Sequence, residues 1–376
     1  MVINPYRSLF HPIDNYFLAH SVGCLAFVSQ QENEAFYRSW GQDASEAWPF
    51  WLNYLESFRK ELGALLNASP ESFCPQSNVS SALCKVIQSL PETVAAKKIV
   101  MTSLDFPSAV FAVSHAHQPT REVAVIQDKN KLITLADWEQ ALTDEAAVAF
   151  ITHVTYENNL QQPVQEIIQL CQQRGILTII DIAQSVGITS IDLDRLQADF
   201  VVGTCVKWLC GGPGAGFLYV NPKRVREWSP KDVGWFSHQD PFEFRYDHFE
   251  YAHTAQRFFG GTPSILPFVN ASASLKLFNN IGIASVISHN RALIDEFIAN
   301  FYYKEKLFRY TNPACEFGGT IAIELPQAAH VLPTLREKNI AVDARGDFLR
   351  LSPHLYTSSY EVMYACEVLN TLITTL

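Results

Sequence analysis

The sequence predicts an α/β fold: a large domain built on a mostly parallel central sheet covered by helices, plus a smaller α+β domain toward the C-terminal end. Three observations predict it. Between residues 98 and 220, short runs of branched apolar residues alternate with segments of helical periodicity. Those runs are nearly unbroken rather than polar at every second position, as in strands buried on both faces. After Thr262-Pro263 the alternation stops, and two long helical stretches lead into a shorter mixed set.

The elements follow in order. Residues 43–67 repeat Trp48, Trp51, Leu52, Leu55, Phe58, Leu62 and Leu65 at spacings of three and four, which predicts an amphipathic helix. Helices are predicted over 79–90, 108–117, 135–142 and 164–174, the last closed by Gly175, and strands over 98–102, 122–126, 147–152, 176–180, 198–204 and 216–220. Beyond residue 262 come helices near 264–279 and 284–303, strands near 319–324 and 348–351, and helices near 327–338 and 359–374. The corresponding division is an N-terminal segment (1–45) at the rim of the site, a large ligand-binding domain (46–262) and a small domain (263–376).

Bulk properties exclude several partners. At 376 residues, 48% hydrophobic and 18% charged, the chain reads as a folded protein with more core than one small domain needs. Its formal net charge is −10, and no Lys/Arg-rich block stands out, which argues against nucleic acid and anionic membrane as partners. Eight cysteines are scattered without CxxC spacing, so neither a disulfide framework nor a structural zinc site is expected. The opening MVINPYRSLFHPIDNYF lacks the basic and apolar regions of a secretory signal, and no apolar run reaches membrane-spanning length. These readings together suggest a cytoplasmic protein with reduced thiols.

Chemistry enters at Lys207, which stands between the apolar strand 198–204 and the glycine-rich turn GGPGAG. A lysine in such surroundings is either paired or in chemical use. Ligands of open α/β sheets lie at the carboxyl ends of the strands. Asp181 follows the strand 176–180 and Lys207 the strand 198–204, which puts both on one rim. An ion pair would satisfy them, but they are also the two groups pyridoxal phosphate requires: an amine for the imine and a carboxylate for the pyridine nitrogen. Other chemistries fit less well. GGPGAG (211–216) has Phe217 where a dinucleotide loop needs its third glycine, and it leads into a strand. Neither GxxxxGK[ST] nor GxSxG occurs. His115 and His117 fall two apart in a predicted helix, a poor spacing for a shared metal, so no metal site is expected.

Four motifs carry a family resemblance: Asp181-Ile-Ala-Gln184, Lys207-Trp-Leu-x-Gly-Gly-Pro-Gly, Gly234-Trp-Phe-x-His238 and Gly261-Thr-Pro. Together they resemble the class V aminotransferase group of fold-type I pyridoxal-phosphate enzymes, and most nearly kynureninase. The likeness runs from about residue 15 to the end and takes in Phe17-Leu18-x-x-Ser21-x-Gly23, Asp105-Phe106-Pro107-Ser108 and Leu349-Arg350-Leu-Ser-Pro-x-Leu-Tyr356. The GWF and LRxSPxLY elements point toward kynureninase.

The resemblance implies a covalent link from Lys207 to the cofactor and pairing of Asp181 with the pyridinium nitrogen. It implies a phosphate site at Val79 and Ser80, where a helix begins, and places Phe106, Gln184 and Trp235 beside the cofactor. Thr262 would reach the phosphate of a neighbouring subunit, which implies a homodimer, and Arg350 would grip the α-carboxylate of an amino-acid substrate. His238, in the GWF loop, would meet the substrate side chain. The chain departs from the kynureninase pattern at Ala109 (aspartate in the family), Gln184 (histidine) and Val206 (tyrosine). Glutamine at 184 is the residue of cysteine desulfurases, but the segment 342–350 before the arginine lacks the cysteine that desulfuration uses. A hydrolase of kynureninase type is therefore expected, with a class V aminotransferase or epimerase as the alternative. Retention of both Lys207 and Asp181 speaks against a non-catalytic relative.

Overall fold

Twelve strands form three sheets in the computed structural model, which describes residues 4–95, 97–116 and 122–374. They are β1 (Phe73–Gln76), β2 (Lys98–Thr102), β3 (Val123–Ile126), β4 (Ala146–Thr152), β5 (Leu160–Gln161), β6 (Leu177–Asp181), β7 (Phe200–Thr204), β8 (Gly216–Val220), β9 (Glu316–Phe317), β10 (Ile321–Glu324), β11 (Asp343–Arg345) and β12 (Phe348–Leu351). The central sheet has seven strands in the order β1-β8-β7-β6-β4-β2-β3. Neighbours from β7 through to β3 are parallel, while β8 runs antiparallel to β7 and to β1.

The apolar strands earn their composition by serving two cores. Along β4, Ala149 and Ile151 join one buried cluster while Val148 and Phe150 join the other. In β7, Val201 goes one way and Phe200 and Val202 go the other. A polar residue at either parity would be buried, which is why alternation is missing from the sequence. The helices Ala47–Leu66 and Leu266–Ile281 cover one face, with the rings of Phe58 and Phe268 meeting edge-on at 4.8 Å. The helices Val79–Ser89 and Pro107–His115 cover the other.

A third core fills the region of β10, β12 and β11, which pair antiparallel in that order, beneath the helices Ile283–Asn300 and Ser359–Thr374. The N-terminal segment is sewn into this part: Phe17 joins its core, and Leu18 bridges in parallel to Ser352 just past β12.

Of the elements that escape a reading of the sequence, two have a plain physical reason. β1 (FCPQ) contains Pro75, which argues against a strand in the middle of a sheet; β1 lies at an edge, where a missing N–H is tolerated. The helix Phe27–Gln42 buries only Ser29 and Phe36, so its apolar stripe is too thin to announce itself. His115 closes the helix Pro107–His115, and His117 lies outside the described residues.

Candidate active site

A cavity of about 210 Å³ opens at the carboxyl ends of the parallel strands. Thr152, Asp181 and Thr204, the last residues of β4, β6 and β7, line it, and Lys207 reaches it from the turn after β7. From the opposite side come Val79 and Ser80, at the start of the helix Val79–Ser89, and Phe106, Ser108 and Ala109, at the start of the helix Pro107–His115. Asn78, Val154, Tyr156, Ala183 and Gln184 complete the wall. Of the positions singled out in the sequence, Val79, Ser80, Phe106, Asp181, Gln184 and Lys207 thus share one cavity.

Asp181 is buried, and its Oδ1 accepts the Ala183 N–H at 2.8 Å. Burial pushes its carboxyl up, against the pull of that N–H and of the Lys207 charge. Its Oδ2 has no hydrogen-bond partner among the described residues, so this oxygen is free to take a proton donor from the cavity. Burial lowers the Lys207 ammonium, Asp181 resists, and the Arg350 charge lowers it further. Among the described residues the Lys207 Nζ makes neither a hydrogen bond nor an ion pair. Lowering favours the neutral amine, the nucleophilic form.

The opposite wall has features that suit an anion. Asn78 caps the helix Val79–Ser89 by accepting the Ser81 N–H at 2.8 Å, which leaves the first N–H groups of that helix facing outward. Gly216 allows this: a Cβ there would come within 3.1 Å of the Asn78 Cα. The hydroxyls of Ser80 and Ser108 are 2.7 Å apart and link the starts of the two helices. Two positive helix ends and two hydroxyls suit a phosphate.

Behind this wall Asp105 is buried, accepts the Thr102 N–H at 2.7 Å, and is pushed up to about 7 by burial. The three departures also find their places. Ala109 and Gln184 line the cavity, and the Gln184 amide donates to the His20 carbonyl at 3.1 Å. Val206 does not line it; its carbonyl accepts the Gly23 N–H at 2.8 Å.

Arg350 lies beside the cavity rather than on its wall. Its Nε donates to Asp343 Oδ1 at 2.9 Å and its Nη2 to Oδ2 at 2.5 Å, while Nη1 donates to the carbonyl of Tyr156, a cavity residue. His20 Nε2 lies 2.9 Å from the same Asp343 Oδ1, and His20 Nδ1 lies 2.7 Å from the Ser352 hydroxyl. Burial alone would raise the Asp343 carboxyl; the His20 and Arg350 contacts outweigh it and hold the group well below the usual carboxylate range.

The remaining sequence candidates lie elsewhere. The Trp235 indole donates to the Thr262 hydroxyl at 3.2 Å, and Trp235 and His238 line a separate pocket of about 160 Å³. Sequence reading missed Ser108, Thr152, Tyr156 and Thr204 as cavity residues. A signal for two of them was present: Thr152 and Thr204 each put a hydroxyl at the very end of an apolar strand, the position Asp181 also holds.

The residues present fit pyridoxal phosphate: an amine and a carboxylate oxygen without partners among the described residues, and a pair of helix starts suited to an anion, converge on a single cavity. The Aminotransferase class-V family model matches residues 33–353. The uncharacterized aminotransferase YcbU of Bacillus subtilis is 29% identical over 325 residues, 85% of this chain and 84% of that one. A kynureninase of Deinococcus radiodurans is 28% identical over 334 residues, covering 86% and 79%. Among solved structures, an apo cysteine desulfurase from Thermococcus onnurineus NA1 shares the fold with a TM-score of 0.85 at 19% identity, over 100% of both chains. By its matched family and the fit of its cavity, the chain belongs to the class V aminotransferases and is a pyridoxal-phosphate-dependent enzyme.

Proposed function

We propose that this enzyme acts on an amino acid with an aryl ketone side chain, such as kynurenine, and hydrolyses its Cβ–Cγ bond to give an aryl carboxylate and alanine. When bound, pyridoxal phosphate supplies the electron sink that stabilises negative charge beside the amino-acid Cα. Lys207 provides the amine that attaches the cofactor and, once free, moves protons between substrate carbons. Asp181 offers its free Oδ2 to the pyridine nitrogen. Ser80, Ser108 and the first N–H groups of the helix Val79–Ser89 hold the phosphate. Arg350, oriented by Asp343, receives the substrate α-carboxylate on its remaining N–H groups.

The observation that carries the cofactor chemistry is the convergence of Lys207, Asp181 and the paired helix starts on one cavity. Support for the aryl substrate comes from the kynureninase-like motifs and from the Phe106–Tyr156 pair, whose rings meet edge-on at 5.2 Å at the cavity. Desulfuration is disfavoured, because no cysteine lines the cavity among the described residues and Cys366 is buried in the last helix. The test is a single-turnover spectral screen of amino acids against the holoenzyme. Anthranilate released from kynurenine is the expected product. A keto acid from a small aliphatic amino acid, with no response to kynurenine, would move the enzyme to the aminotransferase side.

A further inference from the structure

The loop after Gly234 holds a cluster that the cofactor chemistry does not use. His238 is only 8% exposed, and its Nε2 is a buried polar atom that makes no hydrogen bond. Such an atom costs free energy unless something binds it. It lies 3.5 Å from Glu243 Oε2, and His248 Nδ1 lies 3.0 Å from the same oxygen. All three ligand atoms fall within 4.8 Å of one another. Around an ion bound at ~2.0–2.1 Å in tetrahedral geometry, neighbouring ligand atoms stand roughly 3.3 Å apart. The cluster has that scale.

We propose that His238 Nε2, Glu243 Oε2 and His248 Nδ1 form a binding site for a divalent transition-metal ion of the zinc class. Two imidazoles and a carboxylate are borderline ligands suited to zinc, and three protein ligands leave a fourth position to water. The surrounding bonds serve the same end. His238 Nδ1 accepts the Asp240 N–H at 2.9 Å and also stands 2.9 Å from the Asp240 carbonyl; with an ion on Nε2, the ring proton would move to Nδ1, where that carbonyl accepts it. Arg245 approaches the other carboxylate oxygen, Glu243 Oε1, at 3.7 Å, and so leaves Oε2 to the two rings.

The backbone closes the loop. His238 bridges antiparallel to Tyr251, the Gln239 N–H donates to the Glu250 carbonyl at 2.9 Å, and Ala252 pairs with Ser237 at 2.9 Å. Residues 240–249 are thereby folded back over His238, and an ion there would clip the loop that begins with Trp235. The sequence gives little sign of this, because H-x₄-E-x₄-H has no familiar metal-site spacing and only the hairpin brings its ends together.

The holoenzyme, stripped with a chelator and dialysed against zinc, is expected to retain one ion per chain in excess of a His248→Ala, Glu243→Gln double variant. Each single substitution is expected to weaken zinc binding by roughly a hundredfold. Both side chains reach solvent, at 46% and 28%, so the variants should keep the wild-type far-ultraviolet circular dichroism. Arg245→Gln, which removes a competing cation, should bind zinc at least as tightly as wild type. Cobalt in place of zinc should give visible bands of a tetrahedral nitrogen–oxygen site. Zinc uptake equal in wild type and the double variant, no uptake at all, or a cobalt spectrum with thiolate charge transfer would overturn the assignment.

Discussion

Asp343 and Arg350 face each other across the ladder between β11 and β12 and are joined by two side-chain hydrogen bonds. The fork is aimed by its neighbour on the adjoining strand, with the Tyr156 carbonyl fixing its third edge. Arg350→Ala is expected to weaken amino-acid binding by roughly 2–5 kcal/mol, as for a desolvated charge pair that loses one member. Calorimetry with an amino acid and its decarboxylated amine checks this, since the amine should bind both enzymes alike. Asp343→Ala should cost about 3–5 kcal/mol of stability by stranding the buried guanidinium. Because Asp343 is held below the usual range, that cost is fully present above about pH 4 and fades as the pH falls below it. Urea unfolding of both proteins across that range measures the gap.

Lys207→Ala should abolish covalent attachment of the cofactor. Borohydride reduction followed by peptide mass spectrometry is expected to place the adduct on Lys207 in the wild type and nowhere in the variant. An adduct on another lysine would reassign the amine.

In the proposed phosphate site Ser80 and Ser108 would meet the same anion through hydroxyls that stand 2.7 Å apart. Single alanine substitutions should each weaken cofactor affinity by roughly 1.5–3 kcal/mol, the worth of a hydrogen bond to a charged group. The double variant should lose less than the sum, because each hydroxyl orients the other. Fluorescence titration of apoenzyme with pyridoxal phosphate gives the four affinities; additive losses would separate the two hydroxyls.

Acid should destabilise the fold before its ordinary carboxylates titrate. Burial lowers His20, His153 and His354 to about 4, although Asp343 pulls His20 upward and the Trp208 carbonyl pulls His354 upward. Between roughly pH 6.5 and that value the unfolded chain takes up protons that the folded chain refuses, so stability falls as the pH drops through this window. Asp105, raised to about 7, works in the opposite direction and offsets part of the loss. His289, also lowered by burial, adds to the decline, while Asp181 and Glu157, raised by burial, join Asp105 in offsetting it. His153→Gln should flatten the slope of urea stability against pH; an unchanged slope would show that folding leaves the proton affinity of His153 unaltered.

Trp235, Phe242, Phe244 and Tyr246 crowd one loop, with Phe244 74% exposed, and Thr262 beside them is exposed. A second copy of the chain covering this surface is the proposed arrangement, with Thr262 reaching the partner's phosphate site. Light scattering at micromolar concentration should report a dimer. A monomer with cofactor still bound would overturn it.

The sequence showed the central sheet well because burial on both faces leaves a simple mark, a run such as IVMT or AVAFIT with no polar beat. Lys207 and Asp181 were legible for the same reason, as charges set against such runs. Arg350 could be named, but not its partner: Asp343 is seven residues away and meets it only because a hairpin returns the chain. His238 shows the same limit. Its neighbours Glu243 and His248 come from the far side of a turn, and no local pattern announces contacts that the turn creates.

Gly23 has a consequence for how the enzyme can move. Its N–H is bonded to Val206, and a side chain there would strike the Lys207 carbonyl. A few residues earlier, Phe17 donates to Ala341 and accepts from Ser352, next to the Arg350 strand. One short stretch of main chain is therefore anchored at the amine end of the site and again at the carboxylate end, and acts as a tether of set length. It limits how far the strand bearing Arg350 can swing from Lys207 and so, in the proposed roles of these two residues, the size of amino acid they would hold between them. Gly23→Ala would force one anchor loose, and lengthening the stretch by a residue would reset the span without altering any group that touches substrate.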